Sequence, residues 1–595
     1  MKQQLFSNKQ KKDHSRKLKI TVHSMLFKSI KSIALVISLI ICMLSSVSIA
    51  QNINNNIKSS VIGPLFFDYS ELSWADAFDS LNACISERYP FTEWKNIDWD
   101  QKKSYSLPKI QIAQNESDTI KLIEALYEYL YTVPDGHIQM FGNVDKFKKE
   151  KYGGCYGFNM LPISNEKIIV NIVEEEGPAF EAGIRIGDII TSWNGISILE
   201  VSEMESYNNL GCISMNYATL EGRLISFYEI LSRDPIGTQT TITYISHETE
   251  IENTITLTAV DDNSSVLLQA FFLTSKVNSF EDIVFYEILD QDIGYLRVLL
   301  EDCDSLTMEG VRSSETYLEV KEAITYFNEN GVNKLIFDLR LNMGGNDILG
   351  AAISGFFVDE PMFYENISGN SDDDFAVIME LFSEVEQPHF DGTVVGLVGP
   401  NCISTGEGIP MMFKKLPKAE IISFWGTNGS FGITPNTVLM PEGLVVNYPF
   451  GRSLDQNLEI QLDTNEELIG GIQPDTKLPL TVERVIKQWE EGIDVELEYA
   501  KSFLLGIEEV NIQNECILYP NPVSDYLNIK KLPESKDDYN VSLYNVQGQF
   551  IYNENLKFDK NQVCSLNLKT LNNGVYICSI SNGLKKYHSK IIIKH

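Results

Sequence analysis

The chain has 595 residues, 43% hydrophobic and 10% aromatic, enough for several packed cores and too apolar for a globally disordered polypeptide. Its formal net charge of −34 argues against nucleic acid as a partner. Residues 1–50 run against that charge, with nine Lys/Arg and one Asp, so the acidity belongs to the rest of the chain and suits a soluble, exported protein.

Within residues 1–50, Lys28 and Lys31 precede the apolar run IALVISLIICMLSSVSIA, which closes on Ser48-Ile49-Ala50. Small residues at the end of such a run mark a cleaved export signal. The run is eighteen residues long, at the border for a spanning helix, but the polar QNINNN that follows points to cleavage. No stable transmembrane segment is then expected in the mature chain. Residues 51–150 read as a helical region, from ELSWADAFDSLNACISERYP to DTIKLIEALYEYLYTV, with apolar residues at helical spacing. Pro134-Asp135-Gly136 breaks the last helix, and His137 follows.

Residues 151–262 read as a small β domain. It holds GPAFEAGIRIGDIITSWNG, with the pairs Pro178-Ala179, Ala182-Gly183, Gly187-Asp188 and Asn194-Gly195. That series resembles a PDZ domain. The resemblance implies an added-strand peptide site with a carboxylate nest at Gly154, Cys155, Tyr156, Gly157 and Phe158. Residues 263–510 alternate strands and helices, as in an α/β core with a partly parallel sheet, whose functional residues belong at the carboxyl ends of its strands. From Cys516 the pattern changes to short alternating strands with Asn and Gly turns. LYPNPVSDYLNI, LYNVQG, LNNGVY and the terminal KIIIKH resemble the C-terminal sorting domain of the type IX secretion system of Bacteroidota. Residues 511–595 are therefore expected to form a β-sandwich that engages the type IX machinery. The protein would be secreted or held at the cell surface after crossing both membranes.

Two stretches of the α/β region carry chemistry. DLRLNMGGN (338–346) ends an apolar strand on paired glycines, whose amides can face a ligand closely. VGLVGPNCISTGEGIPMMF (395–413) is a strand, a tight turn and a helix with Ser404 in the turn, the way a fold presents a nucleophile. Cys402 is a rival on the opposite side of the segment. Together with the helical region and the β domain, these motifs resemble the C-terminal-processing and tricorn-core family of serine peptidases, and the resemblance implies a crotonase-like or ClpP-like core. By that resemblance Ser404, in Ser404-Thr405-Gly406-Glu407, is the nucleophile, and the amides of Thr405 and of Gly344 or Gly345 form the oxyanion hole. One branch of the family uses a lysine base, but the matching segment FWGTNGSFG (424–432) has none, and Lys414, Lys415 and Lys418 precede it. The tricorn-like branch uses a histidine, and His137 in PDGHIQM matches its D-G-H motif. The family's orienting acid precedes a G-[IV]-x-P-D motif, here Gly471 to Asp475; the candidates are Glu467, Glu466 and Asp463. Asp338, Arg340 and Asn342 are expected to brace the glycine turn.

The chain is thus expected to be an exported serine endopeptidase that cleaves polypeptide through an acyl-enzyme, its β domain recruiting or gating substrate. No cofactor is expected: there is no zinc-type His/Cys cluster, P-loop or dinucleotide fingerprint. The alternative is a catalytically inactive surface protein that binds peptide or another ligand on the same scaffold.

Overall fold

A computed structural model describes residues 64–164, 166–204, 216–272, 282–289, 292–370, 375–506, 516–519, 522–531, 540–545, 550–555, 563–581 and 586–595. The expected export signal lies outside the described residues. Among the described residues no helix is long and apolar enough to cross a membrane. The chain divides into two units, Met1–Leu497 and Glu498–His595. The helical and β regions, and the α/β region as far as Leu497, fall in the first.

Strand β1 (Phe66–Asp68) leads into helices α1 (Trp74–Arg88), α2 (Trp99–Glu116) and α3 (Thr119–Tyr131). Each helix starts on a polar cap: Ser73 accepts from the amide of Asp76, Asp98 from Gln101, and Asp118 from Ile120 and Lys121. Such caps are worth about 1 kcal/mol each. Helix α3 buries Leu122, Ile123, Leu126, Tyr129 and Leu130, a stripe at helical spacing. Pro134 cannot extend it, because proline disfavours the helical conformation of the residue before it. The chain turns through Asp135-Gly136-His137 into β2 (Gln139–Gly142).

The next region contains β3 (Phe158–Ile163), β4 (Lys167–Val173), β5 (Ile189–Trp193), helix α4 (Leu220–Leu231), β6 (Gln239–Ile245) and β7 (Glu252–Thr258). The strands form one antiparallel sheet in the order β7-β6-β5-β4-β3. Their inner residues, among them Phe158, Val170, Trp193 and Ile242, pack against Phe227, Tyr228 and Leu231 of α4.

The α/β core is built from β8 (Val284–Leu289), β9 (Ile293–Val298), α5 (Glu315–Glu329), β10 (Lys334–Asp338), α6 (Asp347–Ser354), β11 (Thr393–Leu397), α7 (Thr405–Phe413), β12 (Ala419–Ser423), the hairpin β13 (Asn436–Met440) and β14 (Leu444–Tyr448), and β15 (Thr476–Lys477). The sheet order is β8-β9-β10-β11-β12-β15, antiparallel only between β8 and β9. Strand β10 is continuously apolar because it is covered on both faces; Leu335, Ile336 and Phe337 are fully buried. Each contributes about 1.5–3 kcal/mol through burial. The glycine pair follows β10 and Ser404 follows β11, so both leave the sheet at the carboxyl ends of adjacent parallel strands. The hairpin lies in a second sheet, ordered β1-β13-β14-β2. Because β2 begins two residues after His137, this sheet fixes the histidine turn to the core.

The second unit contains two antiparallel sheets. One holds Cys516–Tyr519, Tyr526–Lys531 and Val563–Asn567; the other holds Phe550–Asn555, Asn540–Asn545, Gly574–Ser581 and Lys586–Ile593. Leu527, Ile529 and Leu566 of the first share an apolar cluster with Val541, Leu543 and Ile580 of the second.

Helices α6 and α7 approach closely over the phenol of Tyr364. A Cβ on Gly350 would lie 2.7 Å from that hydroxyl, and one on Gly408 only 1.8 Å. The hydroxyl is buried and has no hydrogen-bond partner among the described residues. Tyr364→Phe is therefore expected to leave the urea midpoint unchanged or raise it, since an unsatisfied buried hydroxyl costs about 1–3 kcal/mol. A lower midpoint would reveal a partner for that group.

Candidate active site

Ser404 caps α7 with φ 59° and ψ −136°, a backbone conformation that L-residues rarely adopt. Strain of this kind costs on the order of 1–3 kcal/mol and persists only where neighbours impose it. Three backbone hydrogen bonds from two segments do so. The Cys402 carbonyl accepts from Asn428 N–H (2.9 Å), Ile403 N–H donates to the Asn342 carbonyl (3.1 Å), and Ser404 N–H donates to the Ser430 carbonyl (2.9 Å). The Ser404 side chain remains half-buried at the head of the helix.

The glycine turn stacks directly on this elbow. A Cβ on Gly344 would sit 2.6 Å from the Ser404 Cβ, and its φ of +80° independently requires glycine. Gly344 N–H is already spent on Asn342 Oδ1 (2.8 Å). It therefore leaves the expected set of oxyanion donors. Gly345 is exposed, and neither its amide nor that of Thr405 has a partner among the described residues. The Thr405 hydroxyl lies within hydrogen-bond distance of the Gly345 carbonyl (3.0 Å) and of Asp347, which fastens the two turns together. Asn342 also donates to the Val298 carbonyl (3.1 Å) and to Glu301 Oε1 (2.8 Å). Arg340 forms buried ion pairs with Asp338 (2.7 Å), Asp494 (2.7 Å) and Glu496 (2.9 Å).

His137 is 9% exposed, with Asp135 Oδ1 accepting from its backbone N–H (2.8 Å) and lying 3.8 Å from its Nδ1. Neither ring nitrogen has a hydrogen-bond partner among the described residues. The turn that carries it is tied to the serine elbow through Ser430. Ser430 Oγ accepts from Gly136 N–H (2.8 Å), while the Ser430 carbonyl holds Ser404. Asn216, from the segment leading into α4, donates to the carbonyls of Val133 (2.9 Å) and Asp135 (2.8 Å). A Cβ on Gly136 would meet Ile403 at 2.4 Å, so only glycine fits beside the elbow.

Glu407 organises the opposite wall. Its carboxylate accepts from Thr427 Oγ1 (2.7 Å), Gly429 N–H (2.9 Å) and Ser430 N–H (3.0 Å). Of the three acid candidates, Glu466 and Glu467 are exposed, in a turn closed by Asn465. Asp463 is buried, accepts from Phe431 N–H (3.2 Å) through Oδ2 and has no hydrogen bond at Oδ1. Lys414 pairs with Asp475, Lys415 donates to the Phe363 carbonyl (3.0 Å) and Lys418 to the Phe390 carbonyl (3.1 Å). Cys402 is fully buried and donates to the Gly406 carbonyl (3.1 Å). Pro410 lacks the N–H that would otherwise satisfy that carbonyl, so the thiol fills a gap in the helix, and burial pushes its pKa well up.

The expected carboxylate nest at Gly154–Phe158 is not open. Gly154 and Cys155 are paired on both sides, with Arg233–Asp234 and Val260–Asp261. Tyr156 N–H donates to the Ser232 carbonyl (3.1 Å) and Gly157 N–H to Cys155 Sγ (3.3 Å). Phe158 begins the β3 pairing with β4.

Residues 292–478 match the model of peptidase family S41, and residues 517–594 match that of the secretion system C-terminal sorting domain. The chain carries an S41 peptidase domain. That domain marks it as a serine-type peptidase, and the sorting domain directs it through type IX secretion to the cell surface or the extracellular space. No curated protein matches the chain. Among solved structures it is similar to mature CPAF (TM-score 0.52, 13% identity, covering 73% of this chain and 98% of that one). It is also similar to mature CPAF complexed with lactacystin (TM-score 0.51, 13% identity, 73% and 99% covered). A third is a putative peptidase from Parabacteroides merdae (TM-score 0.41, 18% identity, 74% and 99% covered). At these identities the likeness to CPAF is one of fold.

Burial sets the titration of the candidate groups. It lowers the pKa of His137; Asp135 opposes the shift and Lys95 adds to it. It raises Asp463 well above the carboxylate range, with Lys95 opposing. Burial also pushes Glu407 up to about 7, its hydrogen bonds to Ser430, Thr427 and Gly429 offsetting part of the effect.

Two expectations follow from these contacts. Cys402→Ala strands the Gly406 carbonyl and should cost about 1–3 kcal/mol in a urea melt, whereas Cys402→Ser keeps a donor and should lose less; equal losses would show that the thiol contact is unimportant. Glu407 binds its proton more tightly folded than unfolded, where it titrates near 4.5. Its contribution is complete below pH 4.5 and is lost as pH rises towards 7, by about 3 kcal/mol at ~1.4 kcal/mol per pKa unit. Stability melts from pH 4.5 to 7.5 should therefore fall less steeply for Glu407→Gln than for the parent.

Proposed function

We propose that the protein is a secreted serine endopeptidase in which Ser404 attacks the peptide carbonyl and His137 takes its proton. The observation that carries this reading is the double role of Ser430, whose carbonyl holds the Ser404 amide while its hydroxyl holds the amide next to His137. One residue thereby keeps a strained, half-buried serine and a buried imidazole on adjoining turns. With its pKa lowered, the imidazole is neutral at pH 7 and able to act as a base.

In this mechanism the amides of Gly345 and Thr405 stabilise the oxyanion, each worth about 10²–10³ in turnover. His137 then protonates the leaving amine, and water, activated by the same imidazole, releases the acyl group from Ser404. Asp463 takes the orienting role in place of Glu467. It is the buried member of the three, and both its Oδ1 and the His137 ring lack partners, so a hydrogen bond formed on substrate binding would satisfy both. Catalytic contacts of this kind are often long before substrate arrives. The substrate is polypeptide. The β domain acts through the segment entering α4, which reaches the histidine turn at Asn216 and the 426–429 loop through Thr219 N–H to the Asn428 carbonyl (3.2 Å).

Labelling of the full-length protein by a fluorophosphonate tests the assignment. The intact protein should label; Ser404→Ala and His137→Ala should abolish labelling; Asp463→Asn should slow it at least ~10-fold, and Glu467→Gln should not. Absence of labelling in the intact, folded protein would favour the ligand-binding alternative.

A further inference from the structure

The proposed chemistry uses no cation, yet an ammonium group is enclosed beside it. Lys95 lies in the turn after α1, its N–H donating to the Phe91 carbonyl (2.9 Å), and its side chain is 0% exposed. Lysine is almost never fully buried without compensation. Here Nζ donates to the carbonyls of Pro134 (2.9 Å) and Thr464 (2.8 Å) and lies 3.9 Å from Asp463 Oδ1. Pro134 immediately precedes the Asp135-Gly136-His137 turn, and Thr464 immediately follows Asp463. The ring of Phe91 lies beneath the ammonium at 5.3 Å. The neighbouring Trp94 indole donates to the Asp463 carbonyl (3.0 Å), so consecutive residues grip the two successive peptides that follow the acid's Cα.

We propose that Lys95 is a positioning residue that joins the His137 turn to the Asp463 loop and places a positive charge against the open oxygen of Asp463. This rests on the reading of Ser404, His137 and Asp463 given above. A mere staple between two carbonyls needs only neutral donors. A full charge does more, because it faces an otherwise unsatisfied carboxylate oxygen in a site that also holds Asp135 and His137 on the turn, Glu407 on α7 and Tyr89 after α1. Asp135 is already engaged, accepting from the Tyr89 hydroxyl (2.6 Å) and from His137 N–H. Asp463 is thus the acid with a free oxygen for Lys95 to influence. Electrostatically, the cation disfavours a proton on Asp463 and on His137 alike. Both effects oppose protonation of the pair and so favour the form that accepts a proton from serine.

The test is the rate constant of fluorophosphonate labelling between pH 5 and 9 for the full-length protein, Lys95→Met and Lys95→Gln, compared at equal folded fraction by near-UV circular dichroism. Methionine removes donors and charge. It should slow labelling at pH 7.5 at least ~10-fold and move the acidic limb of the profile upward by about one unit, because Asp463 and His137 both lose the cation that opposed their protonation. Glutamine keeps a neutral donor; it should recover part of the maximal rate while its limb stays displaced. A folded Lys95→Met with the parent's limb and a rate within about twofold overturns the proposal. Should the methionine variant fail to fold, an undisplaced limb in Lys95→Gln overturns it equally. Failure of the underlying reading looks different: labelling of the parent would then survive Ser404→Ala or His137→Ala.

Discussion

The carboxylate of Glu407 is the fixed point of the candidate site. It stands on the first turn of α7, one turn after Ser404, and holds the 427–430 loop by three hydrogen bonds. That loop in turn carries the contacts that matter: Asn428 to the Cys402 carbonyl, Ser430 to Ser404 and Gly136, and the Gly429 carbonyl to Thr464 N–H (2.9 Å). Serine, histidine and Asp463 therefore come from three separate parts of the chain but are referenced to one short loop. An acid is suited to the task because several amides converge there, and a carboxylate can accept from all of them. Burial opposes its ionisation, so the group that organises the site also stands close to its own titration near neutral pH.

A second constraint acts on the oxyanion side. Asn342 fills the space under the elbow so closely that a Cβ on Gly406 would lie 2.3 Å from its Oδ1. The same oxygen accepts from Gly344 N–H, which turns the following Gly345 outward. The division of labour between the two glycines follows: Gly344 gives close packing against Ser404, and Gly345 leaves an unengaged amide at the surface. The buried network around Arg340 anchors the end of β10 below them. Breaking one partner of such a network typically costs about 3–5 kcal/mol, so the glycine turn inherits a rigid base.

Local pattern made the strands and helices legible. The KLIF run is a strand because it is apolar without alternation, the serine segment is a strand–turn–helix, and Pro134 ends a helix before His137. The proposed orienting acid is harder to place because its defining property, burial, is imposed from far away. Asp463 is covered by Trp94 and Lys95, some 370 residues earlier, whereas Glu467 lies nearer the Gly471–Asp475 motif, one residue short of its usual spacing, and ends in solvent. The nest expected at Gly154–Phe158 rests on the resemblance carried by the four residue pairs between Pro178 and Gly195. Gly154 and Cys155 are instead paired with segments 233–234 and 260–261, and Tyr156 N–H with the Ser232 carbonyl, which no local motif announces. Ser430, Asn216 and Lys95 carry no signal in sequence either. A serine in a glycine-rich loop, an asparagine before a helix and a lysine in a turn are each commonplace, and only their partners distinguish them.

The strain at Ser404 connects these observations. A conformation costing on the order of 1–3 kcal/mol is held by three backbone hydrogen bonds, at Cys402, Ile403 and Ser404, each worth about 1 kcal/mol. The margin is narrow, so the elbow keeps its shape only while the 427–430 loop and Asn342 keep theirs. Those supports also position the histidine turn and the Gly344-Gly345 turn. Loosening any of them would disturb the proposed nucleophile, base and oxyanion donors together, and energetic effects among Glu407, Ser430 and Asn342 should not add as independent sites would. In this fold the strained serine and the turns beside it are kept in register by the same few contacts, which is why residues outside the proposed Ser404–His137 pair carry so much of the candidate site.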